Sequence, residues 1–170
     1  QNNKFPRFFQ KKTKETTAFL KDLSEQISKD DTANLYVIHG TPRLDTVGID
    51  SISYSASFLE LISENNFTCS LEGAFPYFEI NDVIKSRIEK LGLKKVQVVP
   101  LLLVSGNHYI EDMFEIKDDL SDKFESFIVP SLTKSEKFNL IELPMIQNII
   151  EKNIQNTFKM MGISHKEITY

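Results

Sequence analysis

A single cysteine, Cys69, in 170 residues excludes an internal disulfide and a multi-cysteine zinc site. Within an apolar strand pattern it reads as a small buried hydrophobe rather than a reactive thiol. Long hydrophobic runs are missing too. The longest, VQVVPLLLV from Val96 to Val104, is too short to cross a bilayer, so no membrane span is expected. There is no basic surplus, the net charge being −4, and hence no nucleic-acid footprint. A secretory signal is absent as well. The chain opens on Gln1 rather than Met, so a trimmed leader and a periplasmic location stay open beside the cytoplasmic expectation. What remains is a chain 41% hydrophobic and 26% charged, an ordinary balance for one globular domain with a real core.

Apolar runs and helical stripes alternate along it. TKETTAFLKDLSEQI sets Phe19, Leu20, Leu23 and Ile27 on one helical face. LYVIHG then reads as a buried strand, and Ile49, Ile52, Ala56, Leu59 and Ile62 recur at helical spacing. FTCSLEG is a weaker strand pattern, followed by a helical stripe through Ile80, Val83, Ile84, Ile88 and Leu91. VQVVPLLLV is the strongest strand, although Pro100 inside it calls for a bulge or an irregular edge. Ile110, Met113, Phe114, Leu120, Phe124 and Phe127 mark a third helix over the sheet. FNLIEL (138–143) reads as a last strand, and Pro144 opens a final helix that runs to Gly162. SFIVPSLTKSEK, from Ser126 to Lys137, is the least readable stretch.

The alternation predicts an α/β fold, an open parallel sheet of about four strands with helices on both faces. Residues 1–32 are expected to form a linking helix and residues 33–170 the α/β domain. In such sheets ligands bind beyond the carboxyl ends of the strands. Those ends read His39-Gly40, Glu72-Gly73 and Gly106-Asn107-His108, each about one βα unit from the next. Two of the three histidines in the chain are in that set. Two neutral imidazoles and a carboxylate suit a divalent transition metal with an open coordination position. A single histidine at a strand end is most often a hydrogen-bonded structural residue, and Glu72 could instead cap a helix starting near Pro76.

HGTP at 39–42, LEGAFP at 71–76 and PLLLVSGNHYIEDM at 100–113 resemble, in order and spacing, three motifs of the anaerobic cobalt chelatases. These class II chelatases insert Co²⁺ into sirohydrochlorin in cobalamin synthesis. The third motif is the most specific of the three. The resemblance implies a chelatase-like fold with His39, Glu72 and His108 as metal-binding and catalytic residues. His39 would also take protons from the pyrrole nitrogens. The sequence departs from the family pattern at Asn107, where an acidic residue is usual, at the inserted Ala74, and at Phe114-Glu115.

A polycarboxylate tetrapyrrole needs polar donors and apolar walls. Thr41, Arg43 and Ser105 lie nearest the motifs as substrate-binding donors. Tyr77, Phe78, Leu103, Tyr109 and Met113 are the wall residues to consider. The divalent metal is a substrate, Co²⁺ first, with Fe²⁺ or Ni²⁺ also suited to such ligands. Long-form relatives have two similar halves and short forms pair as homodimers. This chain is therefore expected to act as a homodimer or beside a missing N-terminal half. A non-catalytic module that binds metal or a finished tetrapyrrole such as heme would look much the same. His165 is expected to be exposed and uninvolved.

Overall fold

The computed structural model describes residues 7–41, 49–73, 75–103, 106–133 and 135–162, and the side chains of these except 7–13 and 107–110. In chain order the elements are α1 (Arg7–Ile27), β1 (Thr32–Gly40), α2 (Ile49–Ile62), β2 (Asn66–Glu72) and α3 (Tyr77–Lys90). They continue with β3 (Lys95–Leu101), α4 (Asn107–Ser121), β4 (Glu125–Ile128), a 3₁₀ turn (Leu140–Glu142) and α5 (Pro144–Met160). The four strands form one parallel sheet in the order β2-β1-β3-β4. No helix among the described residues is long and apolar enough to cross a membrane.

That order dictates the layers. The chain steps from β1 outward to β2, then back across β1 to β3, so right-handed crossovers put α2 on one face and α3 and α4 on the other. Strand alternation supplies a core to each face. Leu35, Val37, Phe67, Cys69, Val96 and Val98 pack against α3 and α4. Tyr36 and Val99 pack against Phe19, Leu20, Leu23 and Ile27 of α1 and Leu59 of α2. Burial raises the pKa of the Cys69 thiol, which leaves it inert as a nucleophile.

At the amino ends of the strands a row of buried amides seats α1. Asn34 lies opposite both Asn66 and Gln97 in the ladders. Asn34 donates to Asn66 Oδ1 at 2.8 Å, and Asn66 donates to the Leu59 carbonyl at 2.9 Å and to Ser24 Oγ at 3.2 Å. Gln97 donates to the Ile27 carbonyl at 2.8 Å and also to Asn34 Oδ1. Buried amides satisfied in this way fix position more than they add stability.

Two sequence expectations need correction. The last strand is Glu125–Ile128, not 138–143. Phe124 and Phe127 extend the spacing of the third helix in sequence, but α4 ends at Ser121 and Phe127 lies in β4. Residues 140 and 141 only donate single bonds to the carbonyls of Leu102 and Leu103, where the chain has run past the end of β4. The stretch before them is drawn together by Glu142, which accepts from Thr133 and Asn139 at 2.6 and 2.8 Å and from Ser135.

Pro100 needs no bulge. Val98 accepts from Val129 on the β4 side, so the imide nitrogen two residues on faces that side as well. β4 pairs with β3 only as far as Val98–Ile128, and Pro100 therefore sits where the sheet has become an edge.

Candidate metal centre

β1 is flanked by β2 and β3, so the loops after all three strands open on one rim. His39 lies at the end of β1, Glu72 at the end of β2, and His108 is the second residue of α4, directly beyond β3. The crevice between β1 and β3 is where the strand order reverses, the usual ligand position in open α/β sheets.

Two glycines lock the first two loops together. Gly40 pairs with Glu72 in the ladder, and its φ of 82° lies in the left-handed region. A β-carbon there would stand 2.0 Å from the Glu72 carbonyl oxygen. Gly73, with φ 84°, lies so close to the next residue of the first loop that a β-carbon would stand 1.9 Å from the Thr41 carbonyl oxygen. Each loop thus rests its backbone on the other, a contact open only to glycine.

His39 and Glu72 are both exposed. His39 Nδ1 lies 3.4 Å from the carbonyl oxygen of Gly40, a long contact that leaves Nε2 open. The helix-cap alternative for Glu72 fails, because Pro76 is the N-cap of α3 and no side chain caps it. Strand alternation puts His39 with Val37 toward α3 and α4, and Glu72 with Ser70 toward α1 and α2. A metal shared by the two would therefore sit over the strand ends rather than on either face.

Among the described residues no three His, Cys, Asp or Glu side chains converge on one point. The side chain of His108 lies outside the described residues, as do Arg43, Ser105 and His165 in full. Thr41 is half-buried, its backbone held against Gly73.

A family model described as "Cobalt chelatase (CbiK)" matches residues 7–159. The chain belongs to the cobalt chelatase family. Among solved structures it is similar to a cobalamin (vitamin B12) biosynthesis CbiX protein from Marinobacter aquaeolei VT8, at 18% identity and a TM-score of 0.55. That match covers 76% of this chain and 98% of the other, and it shows the shared fold. No curated protein matches.

In this cobalt chelatase family member the wall residues divide sharply. Tyr77 is 1% exposed and Met113 is fully buried, so both belong to the core. Phe78 and Leu103 are about half exposed, at 53% and 51%, and are free to meet a ligand. The side chain of Tyr109 lies outside the described residues.

The Tyr77 hydroxyl instead donates to Asp119 at 2.7 Å, and Lys85 pairs with the same carboxylate oxygen at 2.8 Å. Partial burial pushes the Asp119 pKa up, but hydrogen bonds from Lys85, Tyr77 and Asn81 outweigh it and hold the pKa below the usual carboxylate range. Burial and the Asp119 charge raise the Tyr77 pKa. This network anchors the first turn of α3, just after the Glu72 loop. The sequence reading missed it. Its one signal was Lys85 lying within the helical stripe of Tyr77, Asn81, Ile84 and Ile88.

The structure adds a cavity of about 240 Å³ on the α1 and α2 side of the rim. Phe19, Leu20, Ile38, Ile52, Leu101 and Leu140 give it an apolar lining. Ile38 directly precedes His39, so the cavity adjoins the candidate metal centre.

Proposed function

We propose that the chain inserts Co²⁺ into a sirohydrochlorin-type tetrapyrrole, with His39, Glu72 and His108 as the metal ligands. The supporting observation is the strand order, which brings the ends of β1, β2 and β3 side by side at the switch point. Family membership over residues 7–159 supports the reaction class.

Insertion exchanges two pyrrole N–H protons for one divalent cation. A metal held by only three protein ligands keeps positions open through which ring nitrogens can displace them. His39, with an accessible imidazole, serves in this reading as the base that accepts one pyrrole proton once its hold on the metal is released, and the second proton passes to solvent water. Glu72 lends negative charge, which offsets part of the cation's charge before transfer. Thr41, Arg43 and Ser105 donate to the macrocycle's carboxylates. Phe78 and Leu103 cover its apolar face, which leaves the opposite face for a second α/β half, whether a second copy of this chain or a preceding half.

Sirohydrochlorin, mixed with the chain and Co²⁺, Fe²⁺ or Ni²⁺ in turn, tests the proposal by the change in its absorption spectrum. Turnover fastest with Co²⁺ and lost in His39→Ala and His108→Ala is the expected result. Tight binding of metal or tetrapyrrole without turnover would establish a storage or delivery module instead. Activity that falls with dilution would identify the second wall as another copy.

A further inference from the structure

β2 is an edge strand, so its outer side has to find partners outside the sheet. The backbone N–H of Thr68 donates to the Glu60 carboxylate at 3.2 Å, and that of Ser70 donates to the Phe75 carbonyl at 3.0 Å. Ser70 then takes a second bond from the same residue. Its Oγ, on a fully buried side chain, accepts from the Phe75 N–H at 3.3 Å. Pro76 disfavours a helical backbone at Phe75, so the chain returns extended and bridges Ser70 in parallel through Pro76 itself.

Glu72 lies between the two residues of this clip. On its inner side stands Gly40, where a β-carbon would meet the Glu72 carbonyl and would also come within 3.0 Å of the Ser70 Cβ. On its outer side the chain is drawn back to Ser70 by both polar groups of Phe75. Ser70 thus touches both limits of the Glu72 loop, packing against β1 on one side and closing the return on the other.

We infer that Ser70 is a positioning residue for Glu72, its hydroxyl closing the loop so that the carboxylate stands over the strand ends beside His39. The inference rests on the proposed role of Glu72 as a metal ligand and adds the residue that sets the place of that ligand. A loop already closed loses less freedom when the metal binds. In this role the hydroxyl acts on the metal through Glu72 alone.

Co²⁺ titration by calorimetry tests this in a cycle of Ser70→Ala, Glu72→Ala and the double variant. Ser70→Ala should weaken Co²⁺ binding about fivefold, the scale of one neutral hydrogen bond. In the Glu72→Ala background the same substitution should change affinity less than about twofold, because no carboxylate is left to position. Thr68→Val removes a hydroxyl bonded to Glu60 on the same strand edge and should leave Co²⁺ affinity unchanged. The unaltered chain gives an independent measurement. If loop closure favours the metal, the metal favours closure, and Co²⁺ saturation should slow exchange of the Phe75 amide about fivefold. Full affinity in Ser70→Ala, an equal loss in the Glu72→Ala background or in Thr68→Val, or an amide rate indifferent to Co²⁺ overturns the inference and leaves Glu72 as a ligand. Glu72→Ala that binds Co²⁺ as well as the unaltered chain removes the ligand reading, and the inference with it.

Discussion

Gly40 lies opposite Glu72 in the β1–β2 ladder, with its Cα turned against the Glu72 carbonyl so closely that no side chain fits between them. Gly73 meets Thr41 in the same manner one residue further on. The two contacts set the spacing between the loops that carry His39 and Glu72. Gly40→Ala or Gly73→Ala imposes a left-handed backbone on an L side chain and a clash with main chain, which cannot yield as a flexible side chain would. Each should cost about 2 kcal/mol or more in urea unfolding. Co²⁺ affinity, measured by calorimetry on the folded fraction, should fall about tenfold or more. Retained affinity in Gly73→Ala would mean that the clasp does not position the ligands.

The two exposed residues proposed as ligands should separate affinity from stability. His39 and Glu72 sit at the surface, where substitutions away from special contacts change stability by only about 0.5 kcal/mol. His39→Ala and Glu72→Gln should therefore leave the melting temperature nearly unchanged while each weakens Co²⁺ binding at least about tenfold. A variant that melts early and still binds Co²⁺ would reassign that residue to a structural role.

Asp119 should behave in the opposite way. Asp119→Asn strips Lys85, which is 6% exposed, of its counter-charge and should cost about 3 kcal/mol. Because the folded pKa of Asp119 is depressed, its contribution is complete above its unfolded value of about 3.9 and is lost as pH falls through the folded pKa. Acid unfolding should therefore begin at a higher pH in wild type than in Lys85→Met/Asp119→Leu, once the two are matched in stability at neutral pH. Coincident acid transitions would show that the pair carries no linkage.

Gln97 tests the seat of α1. Gln97→Leu leaves the Ile27 carbonyl and Asn34 Oδ1 without their buried donor, a loss of about 2 kcal/mol. The loosening should appear first as faster amide exchange in the last turns of α1. Exchange that accelerates uniformly across the sheet instead would deny the amide row a local role.

Much of this fold can be read from period alone. Val98–Leu101 is apolar without interruption, as expected of a strand buried on both faces, and α2 and α3 repeat their apolar residues every three or four positions. Loop motifs at strand ends were legible too, which is why His39, Glu72 and His108 stand out before any coordinates. Period failed where two elements shared a spacing. Phe124 and Phe127 continue the rhythm of α4 although a turn and then β4 intervene, and 138–143 is as apolar as a short strand although it docks by two isolated bonds.

Only tertiary structure could decide the rest, because it depends on residues far apart in the chain. The sequence names two glycines, but only the ladder shows Gly40 and Gly73 pressed on carbonyls of another loop. Tyr77 and Met113 look like walls in a motif and prove to be core, since burial depends on what α3 and α4 cover. Strand order alone gathers the rim residues that the motifs pick out separately.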